Sequence, residues 1–138
     1  MAIEFTSQNE FVLDNKDQHI HWLTKVVSRE NKSLGEISYV FCTDEYLHQI
    51  NLEYLNHDTL TDIITFDYTI GEELHAEIYI STDRISDNAS LYDVAFHTEL
   101  IRVMVHGVLH LCGYRDKSAE ESQLMRSKED VYIALFNS

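Results

Sequence analysis

A chain of 138 residues, 44% hydrophobic and 25% charged, is long enough to bury a core as one domain, residues 1–138, without disulfide staples. No apolar run approaches the roughly 18 residues that cross a bilayer, and Met1–Thr6 lacks the basic start and apolar stretch of a secretory leader, so a cytoplasmic protein with no membrane partner is expected. Twenty-four acidic against ten basic side chains leave a net charge of −14, which by itself argues against a nucleic-acid enzyme, because Lys and Arg drive phosphate binding.

Residues 2–6 read as a short first strand. Ile20, Leu23, Val26 and Val27 recur at helical spacing and predict an amphipathic helix over about residues 16–30, with His19, His21 and Trp22 in surface or packing roles. Lys25, Arg29 and Lys32 fall near one edge of it as solvated charges. Residues 34–42 have the β-branched and aromatic content of a strand. Thr43 is the expected N-cap of a helix with Leu47, Ile50 and Tyr54 along one face.

A polar connection over residues 55–61 leads to a strand at 63–66, a loop holding Gly71, and a further strand at 74–80. In that last strand His75, Glu77 and Tyr79 point one way, and Ala76, Ile78 and Ile80 the other. Ser81 or Thr82 caps a helix to about Asn88, and a second helical stretch from near Leu91 runs into a longer one. There Leu100, Val103, Met104, Val108 and Leu111 make a surface broad enough to predict burial. Ser118-Ala119-Glu120-Glu121 is a capping-box pattern opening a closing helix, with Leu124, Val131, Tyr132 and Leu135 inward. The order predicts an α/β (α+β) layer fold: one sheet of about four short strands packed against helices.

The chemistry concentrates between Glu99 and Asp116. His106 and His110, four apart, lie about 40° from each other on one helix face. Gly113 offers the helix stop, and past it Asp116 can swing back toward the imidazoles. Two ring nitrogens and one carboxylate, with a fourth position open, are the ligands expected of a catalytic zinc site. The spacing His-x3-His-x2-Gly-x2-(His/Asp) is that of the metzincin peptidase turn, yet Gly107 stands where those enzymes keep the Glu that serves as general base. Cys112, two residues after His110, should face away from the metal, and it and Cys42 read as buried free thiols.

His106 to Tyr114 closely resembles the H-G-x-L-H-L-x-G-Y-D-H signature of the YbeY family of bacterial rRNA maturation factors. Leu52-Glu53-Tyr54 followed by Thr61 to Phe66 resembles that family's L-N-x-x-Y-R and T-D-V-L-S-F block, and Ala76 to Ser81 its G-D-I-x-I-S strand. The resemblance spans nearly the whole chain. It departs at three places: the family's third His ligand falls at Asp116, the Asp before it at Arg115, and the Arg after the Tyr at Leu55. Asp still serves as a metal ligand, and Arg115 with Lys117 are the residues expected to replace the lost cation.

The resemblance implies a single-strand-specific metallo-endoribonuclease of rRNA processing. It would mature the 3′ end of 16S rRNA, act in ribosome quality control, and have single-stranded rRNA and the ribosome or its proteins as partners, not DNA. One zinc ion held by His106, His110 and Asp116 is expected, with other divalent metals open; it would activate water. Arg115, Glu77, Glu99 and Arg102 are candidates for charge stabilisation and proton transfer, against the simpler roles of a sheet-face polar residue for Glu77 and a structural ion pair for Glu99 with Arg102. Scattered His48, His57 and His97 are expected as surface or hydrogen-bonded residues, His57 being the one nearest the family-like blocks. A non-catalytic assembly factor, in which the acidic surface docks onto basic ribosomal proteins, is the second reading. A zinc peptidase is the third.

Overall fold

The computed structural model describes residues 2–138. Strands β1 (Ile3–Ser7), β2 (Ser33–Cys42), β3 (Ile63–Asp67) and β4 (Glu73–Ser81) form one sheet in the order β1-β2-β4-β3. The β1/β2 and β2/β4 pairs are parallel, and β3 runs antiparallel to β4. Parallel neighbours need long crossovers. Helix α1 (Lys16–Arg29) supplies the first, and α2 (Asp44–Leu55) with β3 the second. After β4 come α3 (Thr82–Tyr92), α4 (Phe96–Leu111) and α5 (Ala119–Phe136).

The strand pleat sets the two faces. In β4 burial alternates as the sequence predicts: Leu74, Ala76, Ile78 and Ile80 are buried, whereas His75, Glu77 and Tyr79 are half-buried on the other side. The inward face joins Ile37, Tyr39 and Phe41 to Leu23, Val26 and Val27 of α1 and to Leu100, Ile101, Met104 and Val108 of α4. A smaller cluster, Cys42, Leu47, Ile50 and Ile64, sits under α2. Helix α4 is buried on most sides, so two hydrogen bonds that anchor its surroundings are informative. Tyr39 Oη donates to the Met104 carbonyl at 2.8 Å, and Trp22 Nε1 donates to the Tyr132 carbonyl at 2.8 Å. The first fixes the height of α4 over the sheet and the second ties α1 to α5.

Three sequence expectations shift. Helix α3 continues to Tyr92, with Leu91 exposed in its last turn, and α4 begins only at Phe96. Asp93 at φ 56° takes the left-handed conformation and its N–H caps α3, so the break between the two helices falls at Asp93 and not between Asn88 and Leu91. On α2 the buried positions are Leu47, Ile50 and Asn51, and Tyr54 is 69% exposed because the helix covers only one end of the sheet. On α5 the inward face carries Met125, Glu129, Tyr132 and Ile133, while Leu124 and Val131 face solvent. Of the expected stripe, Tyr132 is buried and Leu135 packs half-buried against the core.

Candidate metal centre

His106 and His110 project from the last turns of α4 with ring centroids 4.5 Å apart at 84°. Each ring is oriented through Nδ1. His106 Nδ1 stands 2.7 Å from Glu129 Oε2 on α5, and His110 Nδ1 stands 2.9 Å from the Tyr114 carbonyl oxygen. A carboxylate and a carbonyl oxygen only accept, so both rings carry a proton on Nδ1 and turn Nε2 toward each other. Those two nitrogens are 2.9 Å apart, and Asp116 Oδ2 lies 3.4 Å from the first and 3.3 Å from the second.

Two imidazole lone pairs and a carboxylate oxygen at such distances repel unless a positive charge sits among them. Nitrogen and oxygen ligands at ordinary zinc bond lengths around a tetrahedron stand about 3.3 Å from one another; the two separations to Asp116 match that spacing, and the 2.9 Å between the rings is shorter. His106, His110 and Asp116 are the group of at least three such side chains able to hold a metal ion among the described residues. Burial opposes the charged form of His106, but the hydrogen bond and field of Glu129, aided by Asp116 and Asp62, outweigh it and hold the pKa above its ordinary value.

Local sequence explains the turn. Cys112 closes α4, Gly113 takes φ 106°, and the chain reverses so that the Tyr114 carbonyl returns to His110. Ser118 and Glu121 form the expected capping box, and Ser122 Oγ donates to the Asp116 carbonyl at 2.8 Å. The start of α5 therefore sets the position of Asp116. Gly107 faces the opposite way: a Cβ there would stand 3.1 Å from Ile63 Cδ1 and 3.2 Å from Ile78 Cδ1. The position that holds a catalytic Glu in metzincins is here pressed against the sheet.

The cluster sits in a groove with two arms. The first, of about 500 Å³, reaches toward α2 and β3 and is walled by Asn51, Leu55, His57 and Thr59 among others. The second, of about 290 Å³, runs between α3 and α5 past Tyr92, Glu99 and Arg126. Asp62, Ile63, His106 and Asp116 line both. Burial raises the Asp62 carboxyl pKa, with the field of His106 opposing, and burial likewise raises that of Glu99, with Arg102 opposing.

Of the other residues expected at the site, Glu99 and Arg102 line the second arm, whereas Glu77 and Arg115 land elsewhere. Glu77 lies on the sheet face away from α4, where it accepts a hydrogen bond from Tyr68 Oη at 3.1 Å, so it does not reach the groove. Arg115 is exposed and lines neither arm, and neither does Lys117. The expected Glu99–Arg102 pair is replaced by Arg102 bridging Glu129 at 2.9 Å and Asp130 at 2.7 Å on α5. Glu99 stays buried at the floor of the second arm. His57 lines the first arm, and so does Leu55, where the family carries Arg.

Among the other histidines, His48 pairs with Asp58, and His97 bonds the buried His19. Cys42 is buried and Cys112 half-buried, both free, with burial pushing their thiols up to about 12 and about 11. Sequence reasoning missed Glu129 and Asp62. The signal for Glu129 was present, because an acidic residue in phase with Met125, Tyr132 and Ile133 breaks an otherwise apolar face.

This fold and donor set define a class: an α+β protein with a helix-borne pair of histidines and a returning carboxylate, suited to a divalent cation at the floor of an open groove. The sequence model of the Endoribonuclease YbeY family matches residues 3–137, and the chain belongs to that family. It is 56% identical over 135 residues to Endoribonuclease YbeY of Flavobacterium johnsoniae, covering 98% of this chain and 97% of the relative. To that of Bacteroides thetaiotaomicron it is 40% identical over 136 residues, covering 98% and 99%. The solution structure of TM1509 from Thermotoga maritima, 22% identical, shares the fold with a TM-score of 0.68 over 97% of this chain and 88% of that one.

Proposed function

We propose that the chain is a single metal-dependent hydrolase domain, residues 1–138, acting as a cytoplasmic, single-strand-specific endoribonuclease. Its substrate is rRNA, its product the mature 3′ end of 16S rRNA, and ribosome quality control is part of its role. Family membership makes it a metallo-endoribonuclease, a hydrolase of RNA phosphodiester bonds in rRNA processing. The observation that carries the site assignment is the convergence of two Nε2 lone pairs and Asp116 Oδ2 on one point. Zinc is the proposed ion, since two imidazoles and a carboxylate with a free position are its catalytic donor set.

When bound, such an ion supplies an acidified water and polarises a phosphoryl oxygen. The protein does the positioning. Glu129 fixes the His106 tautomer, and Arg102 in turn holds Glu129. The Tyr114 carbonyl fixes His110. Asp62 and Glu99 face the groove, and burial raises both carboxyls, the direction that suits a group taking a proton near neutral pH. Helix α4 buries Gly107 against Ile78, so no carboxylate follows His106 as a peptidase would require.

The test is incubation of zinc-loaded protein with single-stranded RNA, double-stranded RNA and an unstructured peptide. Only the first should be cut, and His110→Ala or Asp116→Ala should lose both zinc and cleavage. A second reading is favoured by the acidic, open sheet face around Glu4, Glu36 and Glu77, which suits basic ribosomal proteins. On that reading the protein is a non-catalytic assembly factor, and Asp116→Ala would still restore ribosome assembly.

A further inference from the structure

The two arms of the groove differ in charge. Among the described residues the first arm holds no Lys or Arg, and its charged side chains besides the shared Asp62 and Asp116 reduce to Asp67. The second arm holds two arginines. Arg102 is occupied, with Glu129 at 2.9 Å and Asp130 at 2.7 Å and its side chain 16% exposed. Arg126 is exposed and has no carboxylate within 4.0 Å among the described residues. Glu99 shares the arm but is 5% exposed, so the carboxylate lies in the floor and the guanidinium at the surface. Across from it Tyr92, 54% exposed, ends α3.

We propose that Arg126 binds the RNA backbone phosphate next to the scissile bond on the α3–α5 side, and that Tyr92 stacks the adjoining base. This rests on the endoribonuclease reading above and adds to it the polarity of the groove. A chain with net charge −14 supplies no long-range attraction for a polyanion, so phosphate contact depends on cations placed at the groove itself. Leu55 puts no cation in the first arm. A guanidinium matches two phosphate oxygens at once, and an exposed tyrosine ring accepts any base face without reading its edge. The strand is thus gripped on one side of the cluster and held loosely on the other, where threonine hydroxyls and Asn51 line the wall.

The experiment uses the full chain and a labelled single-stranded RNA of mixed sequence. Cleavage is measured with zinc bound, and binding is measured by anisotropy with the metal chelated, over a range of salt. For Arg126→Ala we expect KM to rise about 5–20-fold with kcat within about twofold. The salt dependence of binding should fall by about 0.7 in the log–log slope, one phosphate contact on a single strand. Arg126→Lys should recover the slope but only part of the KM. Tyr92→Ala should weaken binding several-fold and Tyr92→Phe leave it unchanged, as stacking requires.

Zinc content and melting temperature should match the parent in every variant. An Arg126→Ala protein with parental KM and slope overturns the proposal while RNA cleavage by the parent stands. Loss of zinc or early melting in that variant overturns it too, because Arg126 would then act through the cluster or the fold. A parent that neither binds nor cuts single-stranded RNA overturns the endoribonuclease reading itself.

Discussion

Glu129 Oε2 lies 2.7 Å from His106 Nδ1, joining α5 to the metal helix across 23 positions of sequence. The other oxygen of the same carboxylate bonds Arg102 at 2.9 Å, so one buried side chain serves a ring and a guanidinium together. Such an arrangement orients a metal-bound imidazole and increases its basicity.

Glu129→Gln keeps the shape and removes the charge. Zinc affinity should drop roughly 10–100-fold with the fold intact, read by competition with a chelating dye. Glu129→Ala also leaves Arg102 with one partner fewer in a half-buried site, and chemical denaturation should show a loss of about 3 kcal/mol. Equal zinc affinity in all three proteins would remove Glu129 from the centre.

Glu30 braces the turn from behind. It accepts from Tyr114 Oη at 2.7 Å, from Tyr132 Oη and from Lys128 Nζ at 3.2 Å, and the Lys128 ammonium lies 5.5 Å from the Tyr114 ring centroid. Burial opposes its ionisation, but the bonds from Tyr132, Tyr114 and Lys128 prevail and hold the carboxyl below its ordinary range. Glu30→Ala should cost about 2 kcal/mol, because two phenols and an ammonium lose a partner. Tyr114 also carries the carbonyl that orients His110, so zinc binding should weaken alongside. Parental zinc affinity in a destabilised Glu30→Ala would separate the brace from the site.

Gly107→Glu restores the residue a zinc peptidase needs and should not restore a peptidase. The added side chain meets Ile63 and Ile78 within the core, so the expected result is a loss of about 4 kcal/mol or more and no peptide cleavage. A stable Gly107→Glu protein that cuts peptide would reverse the assignment of that face.

His19 gives a pH dependence away from the metal. Its Nδ1 donates to the Asn15 carbonyl and its Nε2 stands 3.0 Å from His97 Nε2, among Phe5 and Phe136. Burial lowers its pKa from 6.5, partly offset by the Asn15 bond and reinforced by the nearby His97, and burial lowers His97 as well. The unfolded chain therefore takes up protons first as pH falls below about 6.5, and stability full above that value declines as pH drops toward the folded-state pKa. Melting temperature should fall from pH 7.5 to 5.5, and His19→Gln should show a shallower fall. An identical pH slope in both proteins would contradict the buried, neutral pair.

Much of the site was legible because it is local. A helical repeat places His106 above His110 whatever surrounds them, Gly113 permits the reversal, and the Ser118–Glu121 box starts α5 where Asp116 needs it. The alternation in β4 likewise separated Ile78 from Glu77 before any partner strand was known. Where helix phase was read from apolar residues alone, as with Leu124 and Val131, a buried acid in the true stripe defeated it.

The sequence by itself determined where the strands and most of each helix lie, set His106 above His110 and put a turn at Gly113, because each follows from backbone geometry within a few residues, and the family was legible in its motifs. The tertiary structure alone decided that Glu129 and Arg102 stand behind His106, that Glu77 and Arg115 stay out of the groove, and that β2 lies between β1 and β4. Those outcomes depend on how helices and strands far apart in the chain pack, and packing is settled by the fit of whole faces and not by the spacing of residues along any one of them.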